Sequence, residues 1–283
     1  MQIDSPSITA LRVAVRRAAH QVLDHPRIFD DPLALRILGL EADTGHSRSW
    51  QDDTPLDRVL RTALAVRSRH AEEMLQKARL RGIDQYVVLG AGLDTFAYRH
   101  ATAGSDGLRV FEVDHPATQE WKRQRLHLAG IAVPKHCIFV PVDFERQTLA
   151  EGLRLAGFDP TRPAFFSWLG VVMYLTADAI DATLRTVVPL PAGSGIVFDY
   201  MIDPELISPL ARAALNGLAV RVAAAGEPLR SFFVPAHLVD HLRELGFGRI
   251  EDLSPEALDA RYFHNRADGL RAGRLAHLMT AWV

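Results

Sequence analysis

The stretch YVVLGAGLDTFAYR, residues 86–99, decides the fold of this chain. It begins with a short apolar run that predicts a buried strand at 85–89. Gly90, Ala91 and Gly92 follow at once and predict a turn, because glycine tolerates positive φ and lets a ligand approach the backbone closely. A strand, a glycine turn and a helix in this order are typical of the α/β folds that bind nucleotide-containing cofactors.

Acidic residues at the ends of two later predicted strands extend this pattern. They are Glu112 and Asp114 in RVFEVDHP and Asp143 in FVPVDFE. Glu112 and Asp114 are two residues apart and therefore point to one face of a strand, and we expect Asp114, at the strand end, to bind the ribose hydroxyls. Asp143 suits the adenine amine and Phe144 the adenine face. Asp114 and Asp143 could instead cap the helices that follow them, and Phe144 could be a core residue.

The glycine turn lacks a feature that a dinucleotide site requires. Counted from Gly90, the third glycine of GxGxxG is replaced by Thr95, and Asp94 lies where a phosphate would approach. A carboxylate that faces a pyrophosphate is unfavourable, whereas one that faces an ammonium or sulfonium group is favourable. The residues therefore favour S-adenosyl-L-methionine, which has both cationic groups and no phosphate. A nicotinamide-dependent reductase is a disfavoured alternative.

Several motifs in series resemble the leucine carboxyl methyltransferase family, in particular its bacterial O-methyltransferases of polyketide and other secondary metabolism. They are FDDPLA, VRSRHAEEML, VLGAGLDTFAYR, FEVDHP, PVDFE, SWLGVVMYLT and, near the end of the chain, LGFGRIEDL and RYFHNRADGL. The resemblance implies an α/β, class I methyltransferase-like Rossmann fold. Its sheet would have seven mostly parallel strands with an antiparallel edge, under an N-terminal helical cap. Leu169 departs from the family, in which many relatives have a glutamate that would meet the cofactor's ammonium group.

Further residues are expected around the cofactor and the acceptor, the first of them from the resemblance. It indicates that the Arg-Ser-Arg of residues 67–69 binds the cofactor's carboxylate, and we expect Arg69 to be the main ligand; the alternative is an exposed pair with Glu72 or Glu73. Trp168 follows strand four and could face the sulfonium, or belong to the core. For the acceptor we expect Tyr174, Arg261 and Tyr262, although the last two could equally belong to an ordinary surface loop.

The chain reads as one domain with three parts: a helical cap at 1–82, a cofactor-binding core at 83–203, and a substrate-cap insertion with the final strands at 204–283. The core alternates short strands and helices, as right-handed βαβ units do. We predict its strands at 85–89, 109–113, 137–141, 163–167 and 194–200 and its helices near 95–101, 116–129, 146–155 and 176–187. The sequences PAHLVDHLRELG, RIEDL and RLAHLMTAWV then predict a helix and two final strands.

Composition narrows the range of partners. The 283 residues carry a net charge of −2, which argues against a general nucleic-acid surface. No apolar run approaches the roughly 20 residues needed to cross a bilayer, nothing resembles an export signal, and Cys137 is the only cysteine, so we expect a cytoplasmic protein. His237 and His241 have helical metal-ligand spacing but lack a third ligand, so no metal is expected.

The predicted function is methyl transfer to an oxygen of a small-molecule acceptor, most plausibly a carboxylate. A carboxylate is ionised at neutral pH and needs no general base, whereas a hydroxyl acceptor would need one, and no histidine stands out for that role. No catalytic residue is therefore assigned. Hydroxyl methylation of a polyketide-like product remains an alternative within enzymes, and a catalytically silent cofactor-binding protein is an alternative of a different class.

Overall fold

The computed structural model describes residues 7–40, 54–100, 107–143, 147–224 and 226–283, and in these ranges it forms a seven-stranded sheet flanked by helices. The strands are β1 (Gln85–Leu89), β2 (Arg109–Asp114), β3 (Cys137–Pro141), β4 (Ala164–Trp168), β5 (Gly195–Met201), β6 (Arg249–Leu253) and β7 (Ala276–Trp282). The helices are α1 (Ile8–Leu23), α2 (Pro55–Arg79), α3 (Phe96–Arg99), α4 (Pro116–Leu128), α5 (Leu149–Leu155), α6 (Ala177–Val187), α7 (Pro209–Ala223), α8 (Pro235–Leu245) and α9 (Pro255–Tyr262).

The order of the strands is β3-β2-β1-β4-β5-β7-β6, and the first five are parallel. This confirms the predicted fold class, and every predicted strand lies within two residues of an observed one. Both faces of the sheet are covered, which explains why the strands read as continuous apolar runs. Along β1, Tyr86 and Val88 face the side covered by α1 and α2, and Val87 and Leu89 face the opposite side.

The resemblance implied an antiparallel strand at the edge of the sheet, but the antiparallel strand lies one position inside the edge. It is β7, which pairs antiparallel with both β5 and β6, so that β6 forms the edge. The two sequences explain this order. β7 is apolar and buried over most of its length, whereas β6 carries Arg249, Glu251 and Asp252, and charged side chains are typical of an exposed edge strand.

The helices α1 and α2 pack on one face of the sheet, and α1 also reaches the turn after β1. α1 and α2 contact each other, and Arg61 of α2 donates from Nε to Asp24 Oδ2 just after α1, at 2.8 Å, with both side chains buried. α9 was not predicted, although Ser254 and Pro255 are typical start signals and the Ser254 hydroxyl accepts from the Ala257 N–H. Within the described ranges no helix combines the length and the apolar character needed to cross a bilayer.

Candidate functional site

A cavity of about 470 Å³ opens at the carboxyl ends of the parallel strands. Ligands of open α/β sheets bind at this edge, where the loops after neighbouring strands converge. The cavity wall includes the turn after β1, the ends of β2 and β3, the loop after β4, and α1. Of the predicted site residues, the wall contains Gly90, Ala91, Gly92, Asp94, Asp114, Asp143, Trp168 and Tyr174. Phe144 lies outside the described residues.

The two glycines of the turn are needed for different reasons. Gly90 has φ of 66°, and a Cβ there would lie 2.4 Å from Val171 Cγ2, so both the backbone and the space exclude a side chain. Gly92 has φ of 44°, and a Cβ there would lie 3.2 Å from Ala10 Cβ on α1. The turn therefore presents bare backbone to the cavity while α1 crosses directly above it.

Asp114 is tied to this turn by its carboxylate. Its Oδ2 accepts from the Gly92 N–H at 2.6 Å, and its Oδ1 accepts from the His115 N–H at 2.7 Å. Burial raises the pKa of Asp114, and the two backbone N–H donors act against that rise. The helix-capping alternative does not hold for Asp114, since the cap of α4 is His115. Each carboxylate oxygen keeps a lone pair for a further donor from the cavity.

Asp94 lies in the wall beside a buried arginine of α1. Arg17 Nη1 donates to Asp94 Oδ2 at 3.2 Å, Arg17 Nη2 donates to Asp31 Oδ2 at 2.5 Å, and the Phe96 N–H donates to Asp94 Oδ1 at 2.7 Å. Burial alone would raise the pKa of Asp94, but Arg17 and the neighbouring cations outweigh it, and the pKa is lowered. Asp94 is therefore an ionised carboxylate at neutral pH, and Arg17 fastens α1 to the turn.

The ends of β3 and β4 complete the wall near these acids. Asp143 comes two residues after β3 and contributes to the cavity, as does Leu169, the first residue after β4. Trp168 is only 2% exposed, and its indole packs edge-on to Phe198 at 6.1 Å between ring centroids. Most of the Trp168 side chain therefore belongs to the core, which was the alternative interpretation, although the residue also contributes to the cavity wall.

Of the two arginines of the predicted carboxylate clamp, the structure brings Arg67 to the cavity and leaves Arg69 outside it. Arg69 does not reach the cavity: its Nε donates to Glu73 Oε1 at 2.9 Å, and its side chain is 43% exposed. Arg67 does line the cavity, and its Nη1 donates to Asp199 Oδ2 at 2.8 Å. Residues two apart on a helix point in different directions, so only one of this pair can face the sheet.

Glu112 is also away from the cavity, because it lies two residues before the end of β2. Its Oε2 is 2.7 Å from Lys122 Nζ and accepts from the Tyr98 hydroxyl at 2.9 Å. Glu112 and Lys122 are each 1% exposed. Glu112 therefore forms a buried ion pair outside the cavity. Of the two acidic residues of β2, only Asp114 lines the cavity.

The structure separates Arg261 and Tyr262 from Tyr174. Arg261 and Tyr262 lie at the end of α9, and Tyr262 is buried with its hydroxyl donating to Glu73 Oε2 at 2.8 Å. Arg261 Nη1 donates to Glu251 Oε1 at 3.4 Å. Neither residue lines the cavity, because α9 packs beside α2 and β6. Tyr174 does line it, and burial raises its pKa although Arg67 acts against that rise.

Arg17 and Glu227 are charged residues of the wall that were not predicted. Glu227 follows α7, and the Ser7 hydroxyl at the start of α1 donates to its Oε1 at 2.8 Å. Glu227 Oε2 is buried without a hydrogen-bond partner among the described residues. These contacts join parts of the chain that are far apart in sequence, so no local pattern indicates them.

The fold and the position of the cavity define a class I methyltransferase-like α/β protein. A candidate methyltransferase from Thermobifida fusca has the same fold at a TM-score of 0.58 and 20% identity, over 99% of this chain and 96% of that one. A DUF574-family protein from Streptomyces avermitilis gives a TM-score of 0.57 and 19% identity, over 93% and 98% of the two chains.

Sequence comparison identifies the family. Residues 10–188 match the family model of leucine carboxyl methyltransferase. YktD of Bacillus subtilis, named as a candidate S-adenosyl-L-methionine-dependent methyltransferase, is 33% identical over 99% of each chain. Rv0830 of Mycobacterium tuberculosis, named in the same way, is 34% identical over 72% of this chain and 69% of its own.

The chain belongs to the leucine carboxyl methyltransferase family. It is accordingly an S-adenosyl-L-methionine-dependent methyltransferase, which confirms the enzyme class and the cofactor predicted from the sequence. The comparisons identify no acceptor.

Proposed function

We propose that the chain is an O-methyltransferase that methylates the carboxylate of a small-molecule acceptor in secondary metabolism. One observation supports the cofactor half of this proposal most directly: the bare turn at Gly90 and Gly92 and the carboxylates of Asp114 and Asp143 meet in one cavity. A Cβ at Gly90 would clash with Val171 Cγ2, so the backbone there stays bare, and bare backbone lets a ligand approach closely. The division of the chain at residues 82 and 203 stays a prediction.

The residues of the wall fit the groups of S-adenosylmethionine. Asp114 would accept from the ribose hydroxyls and Asp143 from the adenine amine, since ionised carboxylates are strong acceptors. Asp94, whose pKa is lowered, would face the ammonium group in place of the glutamate that Leu169 replaces. Arg67 would bind the carboxylate, because a guanidinium that already contacts Asp199 has further N–H donors to offer.

When bound, the cofactor supplies an activated methyl group: its S–C bond breaks as a lone pair of the acceptor oxygen forms the new C–O bond, which leaves S-adenosylhomocysteine. The protein's task is to position the acceptor oxygen and to exclude water. α1 covers the cavity through Ala10 and Arg17, and Glu227 closes it against Ser7. A carboxylate acceptor loses no proton in the reaction and therefore needs no general base.

A hydroxyl acceptor is the second candidate, and Glu227 is the observation that favours it. Its Oε2 has no hydrogen-bond partner among the described residues and belongs to a side chain of the cavity wall, so it could accept a hydroxyl proton. General-base catalysis contributes about 10²–10⁴-fold to a rate. Glu227→Gln should therefore leave carboxylate methylation nearly unchanged but should greatly slow hydroxyl methylation.

The test is transfer of a labelled methyl group from S-adenosylmethionine to a panel of carboxylic acids and phenols, followed by mild alkali. A methyl ester releases the label as methanol and a methyl ether does not. We expect alkali-labile product and an unchanged rate in Glu227→Gln. Alkali-stable product together with a rate lost in Glu227→Gln would establish the hydroxyl function instead. Cofactor binding without transfer to any acceptor would support the silent binding protein.

A further inference from the structure

A second cavity, of about 150 Å³, adjoins the first one. Arg67, Gly170 and Tyr174 line both cavities and therefore form the boundary between them. The second cavity lies at the end of β5, on the face of the sheet that α1 and α2 cover. The adenosine-binding carboxylates proposed above are at the ends of β2 and β3. The second cavity therefore adjoins the end of the cofactor site that would hold the methionine part.

The lining of the second cavity is mainly apolar. α2 contributes Val59, Leu60 and Ala63, and α7 contributes Leu218 and Val222. His277 also belongs to the wall, but its Nδ1 is 2.8 Å from Asp252 Oδ2, and its β7 position pairs with Tyr200, whose side chain packs on the opposite face of the sheet. The imidazole therefore points away from the cavity. The apolar lining that remains suits a hydrocarbon group.

Charged side chains occur at the rim and at the boundary. Arg12 Nη1 donates to the Arg221 carbonyl at 3.2 Å, and Arg16 Nη2 donates to Asp57 Oδ1 at 3.1 Å. At the boundary Arg67 pairs with Asp199, whose Oδ1 also accepts from the Gly170 N–H at 2.6 Å. Arginines thus outnumber acids in this lining, and Asp199 is engaged by two donors. The surroundings favour an anion over a cation.

We infer that the second cavity is the acceptor pocket and that it takes one aromatic ring, or a branched chain of similar size, bearing a carboxylate. This inference rests on the proposed function, which supplies the carboxylate; the structure adds the place, the size and the apolar character. An apolar cavity of about 150 Å³ holds one benzene-sized molecule. The carboxylate would lie at the boundary beside Tyr174, facing the first cavity, and the ring would lie between α2 and α7.

Two substitutions change the pocket in opposite directions. Ala63→Leu adds three carbons from α2 and fills part of the volume, whereas Leu218→Ala removes three carbons from α7 and enlarges it. Val220→Ala is the matched control, because Val220 is on the same helix as Leu218 but is 71% exposed. Neither Ala63 nor Leu218 lines the first cavity, so the affinity for S-adenosylhomocysteine should be unchanged in all three variants.

The measurement is ligand-observed NMR with benzoate, 2-naphthoate and benzylamine, with and without S-adenosylhomocysteine, so that no turnover is needed. We expect benzoate to bind the wild type, to lose about tenfold or more in affinity in Ala63→Leu, and to be unaffected by Val220→Ala. Leu218→Ala should admit 2-naphthoate, and benzylamine should not bind. The same probes then report labelled methyl uptake.

The inference fails if benzoate affinity is the same in the wild type, Ala63→Leu and Leu218→Ala, or if benzylamine binds as well as benzoate. Such results, with S-adenosylhomocysteine still bound, leave the proposed methyl transfer intact. Failure of the wild type to bind S-adenosylhomocysteine would instead contradict the proposed function, whatever the second cavity binds.

Discussion

Arg67 Nη1 lies 2.8 Å from Asp199 Oδ2, and this pair stands between the two cavities with side chains only 13% and 7% exposed. Asp199 is further held by the Gly170 N–H, so the pair joins α2 to the loop after β4 and to β5. The pair holds in place a guanidinium that lines the proposed cofactor site. We therefore expect the pair to affect both the stability of the fold and the affinity for the cofactor.

The first prediction separates these two roles. Arg67→Met should weaken binding of S-adenosylhomocysteine about tenfold to a hundredfold, because charge-assisted hydrogen bonds contribute about 1.5–3 kcal/mol. It should also destabilise the fold by about 3 kcal/mol, because it leaves the buried Asp199 carboxylate unpaired. Adding Asp199→Asn should restore much of the stability but not the affinity. Calorimetry and urea denaturation measure the two effects.

Arg69→Met is the control for that prediction. Its exposed pair with Glu73 contributes little, about 0.5 kcal/mol or less, and its side chain does not reach the cavity. If Arg69→Met weakens cofactor binding as much as Arg67→Met does, the clamp is assigned to the wrong arginine.

The second prediction compares the two acids of β2. Asp114→Asn should weaken S-adenosylhomocysteine binding by about tenfold or more, since the ribose hydroxyls lose an ionised acceptor. Glu112→Gln should leave the affinity within about twofold but should destabilise the fold by about 3 kcal/mol, because Lys122 is then buried without its partner. A loss of affinity in Glu112→Gln, with no loss in Asp114→Asn, would contradict the assignment.

The third prediction concerns the turn. Gly90→Ala should destabilise the protein by more than Gly107→Ala, although both glycines have positive φ, 66° and 80°. A Cβ at Gly107 meets no atom of the described residues within 4 Å and adds backbone strain of about 1–2 kcal/mol. At Gly90 the contact with Val171 adds an overpacking term of about 1–3 kcal/mol. Thermal denaturation measures the two losses of stability, and equal losses would show that the space beside Gly90 is not restricted.

The fourth prediction is a pH dependence of stability. Burial lowers the pKa of His70 to about 4, and the side chain lies between the Tyr262 hydroxyl at 2.8 Å and Thr280 Oγ1 at 3.1 Å. In the unfolded chain this histidine binds a proton near pH 6.5. The contribution of the buried neutral His70 to stability is therefore fully present above that pH and is lost as the pH decreases towards 4. The total loss is on the order of 3 kcal/mol.

His70→Gln should remove this contribution to the pH dependence. His25→Gln, at an exposed histidine, is the control and should leave the profile unchanged. Urea denaturation at pH 7 and at pH 5 measures the difference. An equal loss of stability between the two pH values in the wild type and in His70→Gln would contradict a buried neutral His70.

The sequence predicted the sheet well because short apolar runs and glycine turns are local signals. The distinction between Arg67 and Arg69 was also available locally. Arg67 lies three residues after Leu64 and four before Ala71, both buried, which places it on the helix face that packs against the sheet. Arg69 instead shares a face with Glu73, four residues later, and pairs with it.

Other parts of the site could not be derived from local patterns. The contact of Arg17 with Asp94 joins residues 77 positions apart, and the contact of Ser7 with Glu227 joins residues 220 apart. Glu112 and Asp114 point to the same face of β2, yet only Asp114, at the strand end, reaches the cavity. Each residue adds about 3.3 Å along a strand, so Glu112 lies too far back. Tertiary packing decides such cases.

The most direct test of the account is a calorimetric titration of the wild-type protein with S-adenosylhomocysteine, with NAD titrated in parallel. The account predicts saturable binding of S-adenosylhomocysteine at one site and no heat of binding with NAD, because Asp94 opposes a pyrophosphate at the turn. Saturable binding of NAD with none of S-adenosylhomocysteine would contradict it.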